Sequence, residues 1–202
     1  MSRSFQFAVL FLAALLLTPP SMAGQYLTGR LLVAGDDMRD SRFADTVILI
    51  LEHDANGALG VVLNRVIGSG TFGKLIAGLG IKPQTVNEAA LADPIDLHQG
   101  GPVGPNVVIV VHSSDYRGDG SENLGDGVAW TRDPDVLESV AAGQGPEDYM
   151  VFFAYSGWRS GQLEAEFNRG SWLDADADAS IIFNTPTGDL YDAVVGTAGL
   201  SM

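Results

Sequence analysis

The feature that most constrains the fold is a hairpin signal in the first third of the chain. Residues 46–51 form an unbroken β-branched and aliphatic run, which is typical of a central strand buried on both faces. Asn56-Gly57, the dipeptide favoured in two-residue hairpin turns, follows this run, and residues 59–64 supply an apolar return strand. The sequence therefore predicts an antiparallel hairpin around which a sheet is built.

Further strands and short helices are predicted on both sides of this hairpin from apolar spacing and from the positions of glycine and proline. The predicted strands are 26–34, 107–112, 128–131, 149–154 and 179–184. The predicted helices are 71–79, a turn within 86–91, 133–143 and one that starts at Ser160 or Gly161, while 190–195 is helix or strand. Residues 115–126 are predicted to be an exposed hairpin loop. Because there is no internal repeat or linker, we predict a single α+β domain with a mixed sheet.

Residues 155–173 are the segment in which a binding site is most strongly indicated. They combine glycine, tryptophan and polar residues at a strand-to-helix turn, a place where rigid scaffolds commonly carry functional side chains. Gln162 and Glu166 lie four residues apart and therefore share one edge of the predicted helix. Trp158 and Trp172 bracket that helix. The same composition would also suit a tightly packed turn.

The first 23 residues have the pattern of a secretory signal. Arg3 is the only charged residue there, residues 7–17 are uninterrupted and apolar, and Ser21-Met22-Ala23 offers a cleavage site before Gly24. This apolar core is shorter than the roughly 20 residues that a membrane-spanning helix needs. We therefore predict a signal peptide at 1–23, a mature domain at 24–202 without a membrane span, and a periplasmic or secreted protein. An uncleaved anchor is the alternative, or a misassigned start, in which case the protein is cytoplasmic.

The charge balance argues against nucleic-acid binding. The chain has 11 basic and 25 acidic residues, and loss of Arg3 with the signal leaves ten basic residues and a net charge of −15. Phosphate backbones are bound mainly through Lys and Arg, so such a chain repels them. The absence of cysteine excludes disulfides, thiol catalysis and thiolate metal sites.

The histidines offer an alternative, enzymatic interpretation. His53 and His112 each end a predicted strand, so they could meet at one sheet edge. With Glu52 or Glu164 they would then form a metal site or supply a general base for a hydrolase. No pair has the His-x-x-x-His spacing of a helical metal site, and hydrogen-bonded structural histidines are the simpler interpretation.

Other local patterns do not support specific chemistry. Ser156 stands in Tyr-Ser-Gly rather than in the Gly-x-Ser-x-Gly of a nucleophile elbow. Residues 100–103 (Gly-Gly-Pro-Val) lack the Gly-Lys-Ser/Thr ending of a phosphate loop. Residues 174–178 begin like a calcium loop, but Ala179 and Thr185 replace the required Gly and Glu. We therefore predict no cofactor, no metal and no catalytic residue.

A series of landmarks along the mature chain resembles the YqgE/AlgH family of uncharacterised bacterial proteins. The landmarks are 27–34, Asp40, Phe43, 46–47, 52–53, Gly57, Gly60, 64–65, 100–103, His112, Gly127, Thr131, Gly143, 145–146, 155–158, 161–164, 172–173, Asp178 and 185–186. The resemblance implies an α+β fold with a strongly bent or barrel-like sheet and a few short flanking helices. It implies no settled activity, since members are named as regulators, including of alginate synthesis, without an agreed mechanism.

The chain departs from the family pattern at four places. Residues 35–37 (Gly-Asp-Asp) replace a Met-Pro-Gly type of turn, Asp176 stands where proline is usual, and Asn184 where aspartate is usual. Members also typically begin near the position of Leu27, without an export signal. That last difference argues against a cytoplasmic transcriptional regulator, which the family name alone would suggest.

The leading hypothesis is an exported, non-enzymatic binding or regulatory module with a protein or small-molecule partner. The second is the hydrolase or metal-dependent enzyme, and the third is the cytoplasmic regulator. The predicted ligand-binding residues are the polar or aromatic residues at predicted strand ends and at the central turn: His53, Asn64, Gly101, His112, Trp158, Gln162 and Glu164.

Overall fold

The computed structural model describes residues 26–198, so the predicted signal at 1–23 lies outside the described residues. The strands are β1 (Arg30–Ala34), β2 (Val47–Asp54), β3 (Gly57–Val62), β4 (Val66–Thr71), β5 (Pro94–Gln99), β6 (Val103–Ser113), β7 (Glu122–Gly125), β8 (Val128–Thr131), β9 (Tyr149–Arg159) and β10 (Trp172–Asp176). The helices are α1 (Phe72–Gly78), α2 (Glu88–Ala92), α3 (Asp135–Ala141), α4 (Gln162–Asn168), α5 (Ala179–Asn184) and α6 (Leu190–Val195). Within this range no helix is both long and apolar enough to cross a membrane.

The strands form one strongly curled, half-barrel sheet. Its order is β10-β1-β2-β3-β9-β6-β8-β7, and β5 and β4 branch from β9. The β5–β9 pair is parallel and the other pairs are antiparallel. The curl brings the start of β1 to β7, where a Cβ on Gly29 would lie 2.6 Å from the Leu124 carbonyl oxygen. The predicted single α+β domain with a mixed, strongly bent sheet is confirmed.

Strand β9 is the junction of the sheet. Its first half pairs with β5 and β6, and its second half pairs with β3. Between the halves Ala154 adopts a left-handed conformation with φ of +65°, which is unfavourable for a residue other than glycine. The connection between β5 and β6 packs into this bend. The Gly100 N–H donates to the Phe153 carbonyl at 2.8 Å, and the Gly100 carbonyl accepts from the Val62 N–H at 2.9 Å.

The apolar residues divide into three clusters on the two faces of the sheet. The interior of the curl is covered by α5 and α6, and the outer face is covered in one part by α4 and in another by α1 and α3. Strand β2 shows the division, because Val47 and Leu49 face the interior while Ile48 and Ile50 face α4. All four are fully buried. The prediction of a central strand buried on both faces is confirmed.

Local signals predicted several elements correctly. The hairpin at Asn56-Gly57 joins β2 and β3, and the Asn56 N–H donates to Asp54 Oδ1 at 2.7 Å. The helices expected from apolar spacing are α1, α3 and α4, and residues 190–195 are helical. Strands β4, β5, β7 and β10 were not predicted, and β7 lies within residues 115–126, which were expected to be a loop. These strands are short, and each depends on pairing with another strand.

The prediction of a strand at residues 179–184 is wrong, since these residues form α5. The apolar run favoured a strand, but Asp178 begins a helix. Its Oδ1 accepts from the Ile181 N–H at 2.9 Å and from the Ser180 hydroxyl at 2.6 Å. These hydrogen bonds lower the pKa of Asp178, and the one from the Ser180 hydroxyl has the largest effect. Within α5 only Ile182 is fully buried, and it packs in the cluster that fills the interior of the curl.

We expect Asp178→Ala to lower the free energy of unfolding by about 1 kcal/mol, because the N-terminal N–H groups of α5 lose their side-chain acceptor. Asp178→Ser is the matched control, since serine also caps helices well and should retain most of the stability. Urea denaturation of both variants at neutral pH measures the difference. Equal stability of the alanine and serine variants would contradict the capping role.

Candidate functional site

The turn between β9 and α4 fixes a polar helical edge. Gly161 precedes the helix with φ of +72°, a conformation that glycine adopts without steric cost. Leu163 is then buried beneath α4. The Gln162 Nε2 donates to Glu166 Oε1 at 3.0 Å. The polar edge predicted from the spacing of these two residues is confirmed.

The carboxylate of Glu166 accepts hydrogen bonds from two indole groups. Trp158 Nε1 donates to its Oε2 at 2.8 Å and Trp172 Nε1 donates to the same oxygen at 2.9 Å. The two indole rings meet edge to face with centroids 6.1 Å apart, and both residues are buried. A buried donor without a partner costs about 1–3 kcal/mol. One carboxylate thus satisfies two donors and is itself held in one orientation.

The loop between β1 and β2 forms the facing wall. Asn64 anchors its end, because its Oδ1 accepts from the Val47 N–H at 3.0 Å and its Nδ2 donates to the Asp45 carbonyl at 2.8 Å. The ring of Phe43 in this loop packs edge to face against Trp172, with centroids 5.7 Å apart. Asn64, predicted as a ligand-binding residue, therefore positions the wall and does not itself line the space.

Between this loop and α4 lies a cleft of about 450 Å³. Residues 37–43 form one wall, and Gln162, Glu166 and Arg169 of the α4 region form the other. Pro102 and Val103 close a third side. Gly101 places them there, since a Cβ on it would lie only 2.3 Å from the Tyr155 carbonyl group. The close backbone contact excludes any larger residue at position 101.

The charges that line the cleft are unequally paired. Arg42 forms an ion pair with Asp40, with Nη2 2.7 Å from Oδ2, and the hydrogen bond from Arg42 lowers the pKa of Asp40. Glu166 is occupied by its three hydrogen bonds. Asp37, Arg39 and Arg169 also line the cleft, and within residues 26–198 none of them forms a salt bridge, so two unpaired guanidinium groups stand beside one unpaired carboxylate. The guanidinium groups of these two arginines are therefore available to a ligand.

His53 lies behind Trp158, on the other side of the α4 edge. Its Nδ1 accepts from the Leu27 N–H at 3.0 Å, so the ring proton is on Nε2, 3.4 Å from Glu164 Oε1. The imidazole is buried, and its lone pair is occupied by a backbone donor. In this tautomer His53 has no basic nitrogen to offer to a substrate.

His112 lies in β6 at the opposite end of β9 from Trp158. Its Nδ1–H donates to the Ser113 carbonyl at 2.9 Å, and Nε2 accepts from the Ser121 hydroxyl at 3.2 Å. Burial lowers the pKa of His112, which favours this neutral form. The expectation that His53 and His112 meet at one sheet edge is wrong, because the antiparallel register separates them along β9.

The remaining groups of the enzymatic alternative are occupied elsewhere. Ser156 is buried and donates to the Gly100 carbonyl at 3.1 Å. Glu52 lies 3.8 Å from Arg132. In the part of the chain that the structure describes, no three His, Asp or Glu side chains converge as metal ligands. This geometry does not favour a hydrolase or a metal-dependent enzyme.

Of the seven predicted residues, Trp158 and Gln162 line the cleft, while Gly101 and Asn64 position its walls. His53 and Glu164 lie behind it, with Nε2 and Oε1 3.4 Å apart, and His112 lies apart. Sequence reasoning did not select Glu166, Arg39 or Arg169. For Glu166 a signal was available, because it lies four residues after Gln162 in a segment bracketed by two tryptophans. For the arginines the sequence held no signal, because unpaired charges are recognised only in three dimensions.

The fold and the cleft together define a class of protein: a single α+β domain whose curled sheet carries a polar cleft with aromatic walls. Comparison with known proteins gives the family. The model of the AlgH-like family matches residues 31–202, and the chain belongs to that family. The resemblance to the YqgE/AlgH proteins is thereby confirmed.

Individual relatives agree with this assignment. The chain is 38% identical over 175 residues to a UPF0301 protein of Methylococcus capsulatus, covering 87% of this chain and 93% of that protein. A UPF0301 protein of Rhodospirillum rubrum is 37% identical, with coverage of 87% and 88%.

Solved structures support the same fold. The solution structure of the AlgH protein from Pseudomonas aeruginosa has a TM-score of 0.69 and 35% identity, covering 89% of this chain and 92% of that one. The crystal structure of a Corynebacterium diphtheriae protein has a TM-score of 0.63 at 23% identity, covering 84% and 85% of the two chains, and it shows the fold alone.

We expect Glu166→Gln to lower the free energy of unfolding by about 1–3 kcal/mol, because two buried indole N–H groups lose their charged acceptor. Glu164→Gln is the matched control two residues away. It should cost less than about 0.5 kcal/mol, since Glu164 is one-third exposed. Urea denaturation measures both. Nitrogen-edited NMR should show the Trp158 and Trp172 indole resonances moving only in the first variant, and equal effects would contradict the assigned role.

Proposed function

We propose that this AlgH-like protein is a non-enzymatic ligand-binding module whose cleft takes a small molecule with an anionic group beside an apolar part. The observation that carries the proposal is the unequal pairing of charges in the cleft. The carboxylates of Asp40 and Glu166 are engaged by protein donors, whereas Arg39, Arg169 and Asp37 have no salt-bridge partner among the described residues, so unpaired guanidinium groups outnumber unpaired carboxylates by two to one. An incoming anion therefore meets free guanidinium groups, which bind carboxylates and phosphates well.

The walls of the cleft suit an apolar or aromatic group next to that anion. Phe43 and Trp172 supply ring edges, Met38 and Pro102 supply aliphatic surface, and Val103 is 39% exposed at the rim. Apolar side chains with a few placed polar groups are the usual lining of small-molecule sites. The volume of about 450 Å³ falls in the range of roughly 300–1,000 Å³ that such sites occupy.

A regulatory role in this proposal works through occupancy of the cleft, not through nucleic acid. The two free arginines belong to a chain with a net charge of −14, and a phosphate backbone extending beyond the cleft would meet an acidic surface. A small anion avoids that repulsion because only its head group approaches the arginines.

Four ring compounds with different head groups test the proposal: benzoate, phenyl phosphate, benzyl alcohol and benzylamine. We expect the two anions to shift the indole N–H resonances of Trp158 and Trp172 saturably, and the neutral and cationic compounds to bind more weakly. The third tryptophan, Trp130, is buried and does not line the cleft, so its indole resonance serves as an internal reference. Equal binding of all four compounds would overturn the anionic preference.

Arg39→Gln and Arg169→Gln should each weaken benzoate binding about fivefold to tenfold, because each removes a charge-assisted hydrogen bond. Arg117→Gln is the matched control, since Arg117 is exposed in the connection between β6 and β7, outside the cleft. Unchanged affinity in both cleft variants, or the same loss in the control, would contradict the site.

We also propose that the protein is exported, on the basis of the signal pattern in residues 1–23. Protein isolated from its own host should then have an intact mass that begins at Gly24. A mass that retains residues 1–23 would contradict cleavage and would support an anchor or a cytoplasmic protein. Comparison of native with denaturing spectra of the same sample would detect a ligand that is retained without a covalent bond.

A further inference from the structure

His98 is a buried ionisable side chain that the proposed cleft does not use. It lies in β5 and is only 3% exposed. Its ring stands against Phe152, with centroids 5.2 Å apart. Among the residues that the structure describes, neither Nδ1 nor Nε2 has a hydrogen-bond partner. Buried polar atoms are nearly always satisfied, so an unpaired imidazole here indicates a missing partner.

The ring lines a separate cavity of about 430 Å³ at the other end of β9 from the cleft. The parallel pairing of β5 with β9 sets His98 opposite Phe152. The segment entering β9 and the end of α5 with the residues that follow it complete the walls. Asp96 and His98 both line the cavity, as expected for residues two apart on one face of a strand.

The charges around this cavity are all of one sign. Four carboxylates line it, from Asp93, Asp96, Glu147 and Asp148, and no Lys or Arg does. None of the four takes part in a salt bridge within residues 26–198. The acidic lining therefore favours a cation, and the unpaired nitrogens of His98 add a polar contact at its buried end.

The protonation state of His98 agrees with a cationic partner. Burial lowers the pKa of His98. The Asp96 carboxylate and the backbone of Val151 act in the opposite direction and offset this effect only in part. Neither group lies in hydrogen-bonding geometry with the ring nitrogens. The ring is then neutral at pH 7 and carries one lone pair that accepts a hydrogen bond. The neighbouring Tyr149 has a pKa raised to about 12, chiefly by burial, so it stays a neutral phenol.

We propose that this cavity binds an organic cation, a primary ammonium on a short alkyl chain, with His98 as the acceptor at its buried end. An inorganic ion fits less well, because no three His, Asp or Glu side chains in the described range converge as metal ligands. Met150, Ile182 and Phe183 offer apolar surface to the alkyl chain. The same chemistry occurs in free diamines and in lysine side chains of proteins.

Titration calorimetry and nitrogen-edited NMR of the His98 ring test the proposal on the full mature chain. The probes are 1,5-diaminopentane for a free amine, Nα-acetyl-lysine amide for a lysine side chain, 1-pentanol as neutral control and Mg²⁺ as inorganic control. We expect one or both amines to bind saturably and to shift the His98 ring nitrogens. Tighter binding of 1,5-diaminopentane would identify free diamines as the source of the ammonium group. Tighter binding of Nα-acetyl-lysine amide would identify a lysine side chain of a protein.

Variants distinguish amine binding in this cavity from nonspecific attraction of a cation to an acidic protein. His98→Phe retains an aromatic ring against Phe152 but removes both nitrogens, and it should weaken amine binding at least about tenfold. Asp96→Asn, at an exposed position that does not depend on core packing, should weaken it about threefold to tenfold. Asp119→Asn is the control, since Asp119 is an exposed carboxylate outside the cavity.

Four outcomes would overturn the proposal: no amine binding to the wild type, equal binding of 1-pentanol, tighter binding of Mg²⁺, or loss of affinity in the Asp119 control equal to that in Asp96→Asn. If His98→Phe does not fold, the wild-type titrations and the Asp96→Asn comparison still decide. The result is independent of the anion cleft, because benzoate is followed by Trp158 and Trp172 whereas the amines are followed by His98.

Discussion

The bend of β9 at Ala154 is the constraint on which the rest of the structure depends. A strand continued straight would pair with one set of neighbours, but the left-handed residue redirects it from β5 and β6 to β3. The backbone of Gly100 and Gly101 fills the inside of that bend and leaves no room for a Cβ. This contact fixes the β5–β6 connection against the bend of β9 and thereby places Pro102 in the wall of the cleft.

The cleft depends in turn on Glu166, whose carboxylate accepts hydrogen bonds from three side chains. Two tryptophans from strands far apart in the sheet bring buried N–H groups to the same point, and Glu166 satisfies both. The alternative, two unpaired indoles, is costly enough to fix the helix against the sheet. The oxygens of this carboxylate are occupied by protein donors, and the proposed preference for an anion therefore rests on the unpaired arginines nearby.

The sequence predicted most features that have a local cause and did not predict those that depend on distant contacts. The hairpin at Asn56-Gly57 and the edge shared by Gln162 and Glu166 follow from turn chemistry and helical spacing, so both were predicted. Residues 179–184 were misassigned because a cap at Asp178 outweighed strand propensity. Glu164 was preferred to Glu166 because spacing alone cannot show which carboxylate two distant indoles approach, and the separation of His53 from His112 depends on strand register.

The two candidate sites also show why net charge is a poor guide to what an acidic protein binds. The overall charge of −14 acts over long distances and disfavours extended polyanions, but salt screens it beyond about 10 Å. Within a cleft the deciding quantity is which charges lack a partner. By that measure the cleft at one end of β9 has two unpaired arginines beside one unpaired carboxylate, whereas the cavity at the other end has only unpaired carboxylates around an unpaired imidazole. Opposite preferences can thus arise on one strand, because each depends on local pairing and not on the sum over the chain.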